Sequence, residues 1–297
     1  MTSRLWREVR SAGIGRLRAA AEVDDPEQEL RWIIEQVGGH SGAEQVAALD
    51  DVATEREWGH VEEMVGRRAA GEPLQYVLGR WGFRTLDLLV DRRVLIPRPE
   101  TEVVAGLAID ALAALGRPGI AVDLGTGSGA IALSLAAERW PDVEVWATDE
   151  SADALSVARA NLAGLGRRAA VVRVVEGDWF GALPSELRGR IDVIVSNPPY
   201  VAEGEPLPDG VAEWEPRAAL VPGPSGLEAI EHIVAEAPGW LTGSGTLVVE
   251  IGATQTVATG GMARAAGFHP VTIHQDLAGH DRVLVARAAA GGRAGHR

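Results

Sequence analysis

IAVDLGTGSGA, residues 120–130, is the stretch on which the reading of this chain turns. An apolar run, Ile120–Leu124, meets a glycine-rich turn, and a helix opens at about residue 130. Strand, tight loop and helix N-terminus in that order begin a ligand-binding α/β unit. The glycines let the backbone turn sharply and let a ligand approach it closely, and the helix start behind them offers free N–H groups. Gly125, Gly127 and Ala130 also satisfy G-x-G-x-x-A, a loose dinucleotide fingerprint that also fits a plain structural turn. Asp123, two residues before the first glycine, suits a ligand that carries a positive ammonium. S-adenosylmethionine (SAM) has such a group; NAD does not.

Downstream, further apolar runs recur at Val143–Thr148, Ala170–Val175, Ile191–Ser196, Thr246–Ile251, His269–Ile273 and Arg282–Ala286, with helical stretches between most of them. Continuous Val/Ile-rich runs are what a parallel sheet covered on both faces requires, and the alternation predicts an α/β, doubly wound, Rossmann-like domain over 100–287. The last two runs are joined by Asp276–Asp281 without a helix, which predicts an antiparallel end to the sheet. Residues 288–297, AAAGGRAGHR, read as a disordered tail.

Upstream, residues 1–75 predict a small helical bundle. Leu5, Val9, Ile14 and Leu17 recur at helical spacing, interrupted by Gly13 and Gly15. Asp25 before Pro26 is a helix start; Leu30, Ile33, Ile34 and Val37 form one face, closed by Gly38 and Gly39. Thr54 with Glu57 fits a capping box, followed by Trp58, Val61, Met64 and Val65 as a core stripe. From 74 the pattern changes, and Phe83, Leu86, Leu88 and Val90 among turn residues predict a β-hairpin connector over 76–99. It leads into IPRPETE, 96–102, where two prolines hold Arg98 extended.

The chain has 297 residues, enough for two domains. It has no cysteine, and its 28 basic residues are all arginine. Disulfides, thiolate nucleophiles, Cys-ligated zinc, Schiff-base lysines and the P-loop lysine are therefore excluded. The seven histidines are scattered with no H-x-x-x-H spacing, so no metal site is expected. A hydrolase elbow is absent, since Gly127-Ser128-Gly129 is out of register for G-x-S-x-G. Net charge is −14, with no basic module, which disfavours direct nucleic-acid binding. No stretch is long and apolar enough for a membrane span, and Arg4, Arg7 and Arg10 lack the apolar run of a secretory signal. The reading is a soluble cytoplasmic protein.

Three more constellations complete a candidate site. Asp149 ends the strand after the glycine loop, where an acid can bind both ribose hydroxyls of an adenosine. It could equally cap the helix beginning near Ser151, and Glu150 competes with it. Asp178 and Trp179, after the third strand, suit an adenine amino group and ring, or a turn with a core aromatic. Asn197-Pro198-Pro199-Tyr200 follows the strand 191–196. The prolines remove two donors and Asn197 adds a side-chain carbonyl. The result is an acceptor pair beside an aromatic ring, fit to hold a planar –NH2 group by both hydrogens.

Together the glycine loop, Asp149, Trp179 and NPPY resemble class I SAM-dependent methyltransferases that act on amino or amide nitrogen. The N-terminal helices, PLQYVLG (73–79), the hairpin and IPRPETE narrow the resemblance to the HemK/PrmC family, which methylates the glutamine N5 of the GGQ motif in class I peptide-chain release factors. It spans about 5–287 and extends to Glu215-Pro216, EIG at 250–252 and DLAGHDRV at 276–283. GPSG at 223–226 departs from it, with Ser225 where an acid is expected. The resemblance implies a mostly parallel seven-stranded sheet with an antiparallel end. It implies that Gly125, Thr126, Gly127, Ser128 and Gly129 line the methionine part of SAM, that Asp149 holds the ribose and that Trp179 borders the adenine. It implies that Asn197, Pro198, Pro199 and Tyr200 hold the glutamine amide, with Asn197, Pro198 and Tyr200 as the catalytic residues and Asn197 also beside the cofactor, and that the helical domain docks the release factor. Rival readings are glutamine methylation of a ribosomal protein, amino-methylation of nucleic acid, and an NAD oxidoreductase, which gives NPPY no purpose.

Overall fold

The computed structural model describes residues 4–207 and 209–289. The chain divides into two compact units: one runs to Arg80 and includes Leu207–Trp214, the other comprises Trp81–Pro206 and the chain from Glu215.

The first unit begins with a two-residue strand β1 (Arg4–Leu5) and helices α1 (Trp6–Arg18), α2 (Pro26–Gly38) and α3 (Ala43–Ala47). Strand β2 (Val52–Ala53) pairs antiparallel with β1, and helices α4 (Glu55–Ala69) and α5 (Leu74–Leu78) follow. Each cap does what its residues dictate. The Asp25 side chain accepts from the Gln28 N–H at 3.0 Å, and Thr54 and Glu57 exchange the two bonds of a capping box. Leu17, Leu30, Ile33, Val61, Met64 and Val65 form the core, so the tryptophan–methionine stripe of α4 packs inside the bundle. A buried Arg68 is paired with Glu29 at 2.6 Å, tying α4 to α2. Residues 74–78 are helical where the sequence suggests the start of a connector. Pro73 supplies an extended residue before them, and Gly79 closes the turn in the left-handed region at φ 71°.

A hairpin of β3 (Arg80–Phe83) and β4 (Leu86–Leu89), shorter than the 76–99 read from the sequence, starts at the boundary between the units, and α6 (Pro99–Ala113) follows it in the second. Strands and helices alternate thereafter: β5 (Gly119–Leu124), α7 (Ala130–Arg139), β6 (Val143–Asp149), α8 (Ala152–Ala163), β7 (Val172–Glu176) and β8 (Ile191–Ser196). Helix α9 (Asp209–Trp214) belongs to the segment grouped with the first unit. The chain ends with α10 (Glu228–Glu236), β9 (Leu241–Glu250), α11 (Thr256–Ala265), β10 (Phe268–Gln275) and β11 (Asp281–Ala288).

The sheet order is β10-β11-β9-β8-β5-β6-β7, with β11 antiparallel to both neighbours and the remaining pairs parallel. This is the class I SAM-dependent methyltransferase fold. Every residue of central β8 is buried, whereas edge strand β10 is largely exposed and carries Pro270, as expected where proline is confined to edges. Strand β9 starts five residues earlier than its apolar run, because Leu241–Gly245 contains glycines and a serine that carry no hydrophobic signal. Strand β11 extends through Ala288, the first residue of the expected tail; residues 290–297 lie outside the described residues. No helix among the described residues is long and apolar enough to cross a membrane.

Candidate active site

The parallel strands end on one edge of the sheet, and a cavity of about 190 Å³ lies there, lined from the second unit alone. One wall is the loop after β5. Gly125, Gly127 and Gly129 have φ of 69°, 56° and 86°, a left-handed conformation that side chains resist. The Thr126 N–H donates to the Thr148 carbonyl at 2.8 Å, locking the loop to β6. Gly125, Thr126, Gly127 and Ser128 line the cavity; Gly129 does not. It packs instead over Leu133 and Ala158, where it lets α7 start close to its neighbours. Asn161, buried on α8, donates to the Ser128 carbonyl at 2.8 Å and exchanges bonds with both backbone groups of Leu89, fastening the loop to the hairpin.

Asp123 sits behind this loop and is absent from the cavity lining. Its Oδ2 accepts from the Thr126 hydroxyl at 2.6 Å and from the Ala132 N–H at 3.0 Å. Its Oδ1 is buried with no hydrogen-bond partner among the described residues. Burial pushes this carboxyl up to about 7. Asp149 does line the cavity. One of its oxygens accepts from the Gly127 N–H and the other from the Ser151 N–H, both at 2.9 Å. It thus braces the glycine loop and the start of α8 while facing the cavity, so capping and ligand binding are compatible roles. Glu150 is exposed and also on the wall. Burial raises the Asp149 carboxyl, opposed by those backbone donors.

Asp178 and Trp179 line the same wall. Trp179 has φ 40°, a strained conformation for a bulky residue that costs about 1–3 kcal/mol. The ring lies against Gly125, 3.6 Å from where a Cβ there would stand. A Cβ at 125 would sit in ordinary van der Waals contact with this ring, so the glycine is required there by its φ of 69° and not by space.

The opposite wall is the segment after β8. Asn197 and Pro199 line the cavity, Pro198 is buried, and Tyr200 turns its hydroxyl to Glu250 Oε1 at 3.3 Å. Asn197 Nδ2 donates to Thr101 Oγ1 at 3.1 Å, and that hydroxyl donates to Glu250 Oε2 at 2.7 Å. Burial pushes Glu250 up to about 7 and Tyr200 higher than an ordinary phenol. The IPRPETE segment is held alongside by Glu215, buried, which accepts from the Ile96 N–H at 3.1 Å and pairs with Arg98. Pro97 and Thr101 from that segment and Pro216 after the anchor complete the wall.

The GPSG turn also serves this end. Ser225 bonds Glu228 through both its N–H and its hydroxyl, at 2.7 and 2.9 Å. Gly226 passes so close that a Cβ there would lie 2.6 Å from the Tyr200 carbonyl. Gln255 donates to both the Tyr200 and Gly226 carbonyls. Glu250 and Gln255 therefore support the NPPY segment from β9 and the turn beyond it. Nothing local in EIG or IPRPETE marks Thr101 or Glu250, which meet across 149 residues.

The site fits SAM by its chemistry. Asp149 offers acceptors for ribose hydroxyls, Trp179 an aromatic face, and Gly125 and Gly127 a stretch of wall without side chains; Asp123, buried behind the loop, does not line the cavity where the sequence suggests it would meet an ammonium. Among the described residues no cluster could hold a metal ion.

Comparison with known proteins agrees. The family models described as PrmC N-terminal domain and Methyltransferase small domain match residues 8–79 and 105–212. A protein named release factor glutamine methyltransferase from Xylella fastidiosa (strain 9a5c) is 45% identical over 76% of this chain and 80% of its own length. Those of Bordetella pertussis and Cereibacter sphaeroides are 42% and 40% identical, covering 87% and 94% of this chain and 93% and 97% of theirs. Among solved structures, the hMettl16 catalytic domain in complex with the MAT2A 3'UTR hairpin 6 superposes with TM-score 0.52 at 15% identity, over 82% of this chain and 86% of that one, which speaks for the fold alone. On its sequence, its two matched domains and its fold, the chain belongs to the release factor glutamine methyltransferase family.

Proposed function

We propose that this protein transfers a methyl group from SAM to the side-chain amide nitrogen (N5) of the GGQ glutamine in class I peptide-chain release factors, in the cytoplasm, leaving S-adenosylhomocysteine. The observation that carries the reading is the Asn197 amide at the cavity wall, its nitrogen already committed to Thr101 and its oxygen left to accept. The names of relatives at 40–45% identity support the substrate.

An amide nitrogen is a poor nucleophile because its lone pair is delocalised into the carbonyl. When bound, SAM supplies a methyl on a positively charged sulfur, a strong electrophile. The Asn197 Oδ1 and the Pro198 carbonyl hold the substrate –NH2 by its two hydrogens. Those bonds favour the change of that nitrogen towards tetrahedral geometry and stabilise the charge growing on it. Alignment of the nitrogen with the S–CH3 bond supplies about 7–11 kcal/mol of the barrier in a well-ordered site. With SAM held there, the substrate nitrogen would take its methyl as the S–CH3 bond breaks with its electron pair left on sulfur, and the proton would leave the nitrogen afterwards. Gly125, Thr126, Gly127 and Ser128 would hold the methionine part of SAM, Asp149 the ribose, and Asp178 and Trp179 the adenine. Asp123, Gly129 and Tyr200 act from behind the wall, Asp123 by holding the glycine loop through Thr126 and Ala132. Docking of the release factor falls to the helical unit, which carries the PrmC N-terminal match.

Mass spectrometry of a release factor incubated with this protein and SAM, beside a control whose GGQ glutamine is replaced, tests the reading. One added methyl on that glutamine, absent from the control, is expected. No added methyl, with SAM still bound, would reject this substrate and turn the search to a ribosomal protein or nucleic acid.

A further inference from the structure

An asparagine amide has two ends of nearly equal size and opposite chemistry. Rotating it by half a turn costs little sterically, yet it exchanges an acceptor for a donor. At Asn197 the choice decides whether the site welcomes or repels an –NH2 group. Something outside the NPPY segment has to make it.

Thr101 Oγ1 stands 3.1 Å from Asn197 Nδ2. A hydroxyl has one hydrogen, and this one is donated to Glu250 Oε2 at 2.7 Å. The oxygen can then only accept from Asn197, so the amide nitrogen must face it and Oδ1 must face away. The second oxygen of Glu250 is taken by Tyr200. Thr101 and Glu250 are both buried, so water does not compete for these bonds. An acceptor-only carboxylate thus sets the direction of two successive hydrogen bonds, ending at the residue that meets the substrate.

We propose that Glu250, acting through Thr101, is a positioning device that fixes the sense of the Asn197 amide and so makes its oxygen the acceptor for the substrate nitrogen. The inference rests on the methyl-transfer reading above. Neither residue touches the reacting atoms. Replacing Glu250 by glutamine reverses the logic: its NH2 can donate to Thr101, whose hydroxyl is then free to call for the oxygen end of Asn197. The NH2 of Asn197 would then oppose the NH2 of the substrate.

The test compares Thr101→Val, Thr101→Ser and Glu250→Gln. Thr101→Val and Glu250→Gln are expected to lower kcat on the release factor by about ten- to a hundredfold, the scale of one misplaced buried hydrogen bond. Kd for SAM stays within about twofold, because the loss lies in the transition state. Thr101→Ser, which keeps the hydroxyl, returns kcat to within about threefold of the parent. Equal damage in Thr101→Ser and Thr101→Val, or no loss of kcat in Glu250→Gln, would overturn the proposal. Should Thr101→Val fail to fold, Glu250→Gln and Thr101→Ser decide it by the same criteria. A readout without substrate separates this proposal from the reading beneath it. The Asn197 side-chain NH2 resonances of the SAM-bound protein, assigned by their loss in Asn197→Ala, should shift in Glu250→Gln and stay in place in Thr101→Ser. If the parent leaves the release factor unmethylated, the substrate is wrong, and these resonances alone decide the pair: unmoved in Glu250→Gln, they reject it.

Discussion

The Gly125–Gly129 loop is shaped by its own backbone, whereas the Asn197–Tyr200 segment takes its orientation from side chains distant in sequence. In the loop, left-handed glycines and a bond to β6 set the curve, and Asp149 ties it down. In NPPY, prolines stiffen the chain, but the polarity of Asn197 comes from Thr101 and Glu250, and Gly226 and Gln255 brace the Tyr200 carbonyl. On the proposed function, one wall holds the cofactor and the other discriminates a substrate hydrogen-bond pattern. Damage to each should therefore appear in a different constant.

The largest break is expected at Asn197→Ala. It should lower kcat by about 10²–10³, as loss of one oxyanion-hole donor does, while Kd for SAM, read by calorimetry, is unchanged. On the other wall, Gly127→Ala meets no neighbour but must hold φ 56°. The left-handed penalty of about 1–2 kcal/mol predicts a roughly tenfold or greater rise in Kd for SAM, with kcat at saturating SAM kept. Asp149→Asn should also weaken SAM binding by about tenfold, because the amide keeps an acceptor for one of the two backbone N–H groups and sets a donor against the other; equilibrium dialysis would show it.

A smaller effect sharpens the same contrast through pH. Glu250 is raised to about 7 mainly by burial, opposed by Thr101, by the Arg282 charge on β11 and by Tyr200, and reinforced by Glu100 on α6. Above that value it is an acceptor-only carboxylate; below it one oxygen becomes a donor and the direction of the chain to Asn197 is lost. The kcat should thus fall as pH drops through about 7, and the fall should vanish in Glu250→Gln. For stability the sign is opposite: a raised carboxyl favours the folded state at low pH, and this contribution fades as pH rises through about 7.

These two walls also differ in how far sequence exposes them. Strands β5, β6 and β8 and the glycine loop were legible because burial on both faces and tight turning leave local marks: apolar runs and glycines at fixed offsets. Asp149 and Asn197 followed from their places at strand ends. Asp123 was legible as an acid, but its inward turn to Thr126 was not. The helix Leu74–Leu78 was lost because five residues between a proline and a glycine show no period. Thr101 and Glu250 were lost for a different reason. Their meaning is a contact between α6 and the end of β9 that only the folded sheet creates. Ser225 looked like a departure, yet it bonds Glu228 and keeps the turn beside Tyr200 in place.

The division of labour is tested most directly by measuring kcat and Kd for SAM together in Asn197→Ala and Gly127→Ala. A crossed result is predicted: kcat alone collapses in the first and SAM affinity alone weakens in the second. Loss of SAM affinity in Asn197→Ala equal to its loss of turnover would contradict the account.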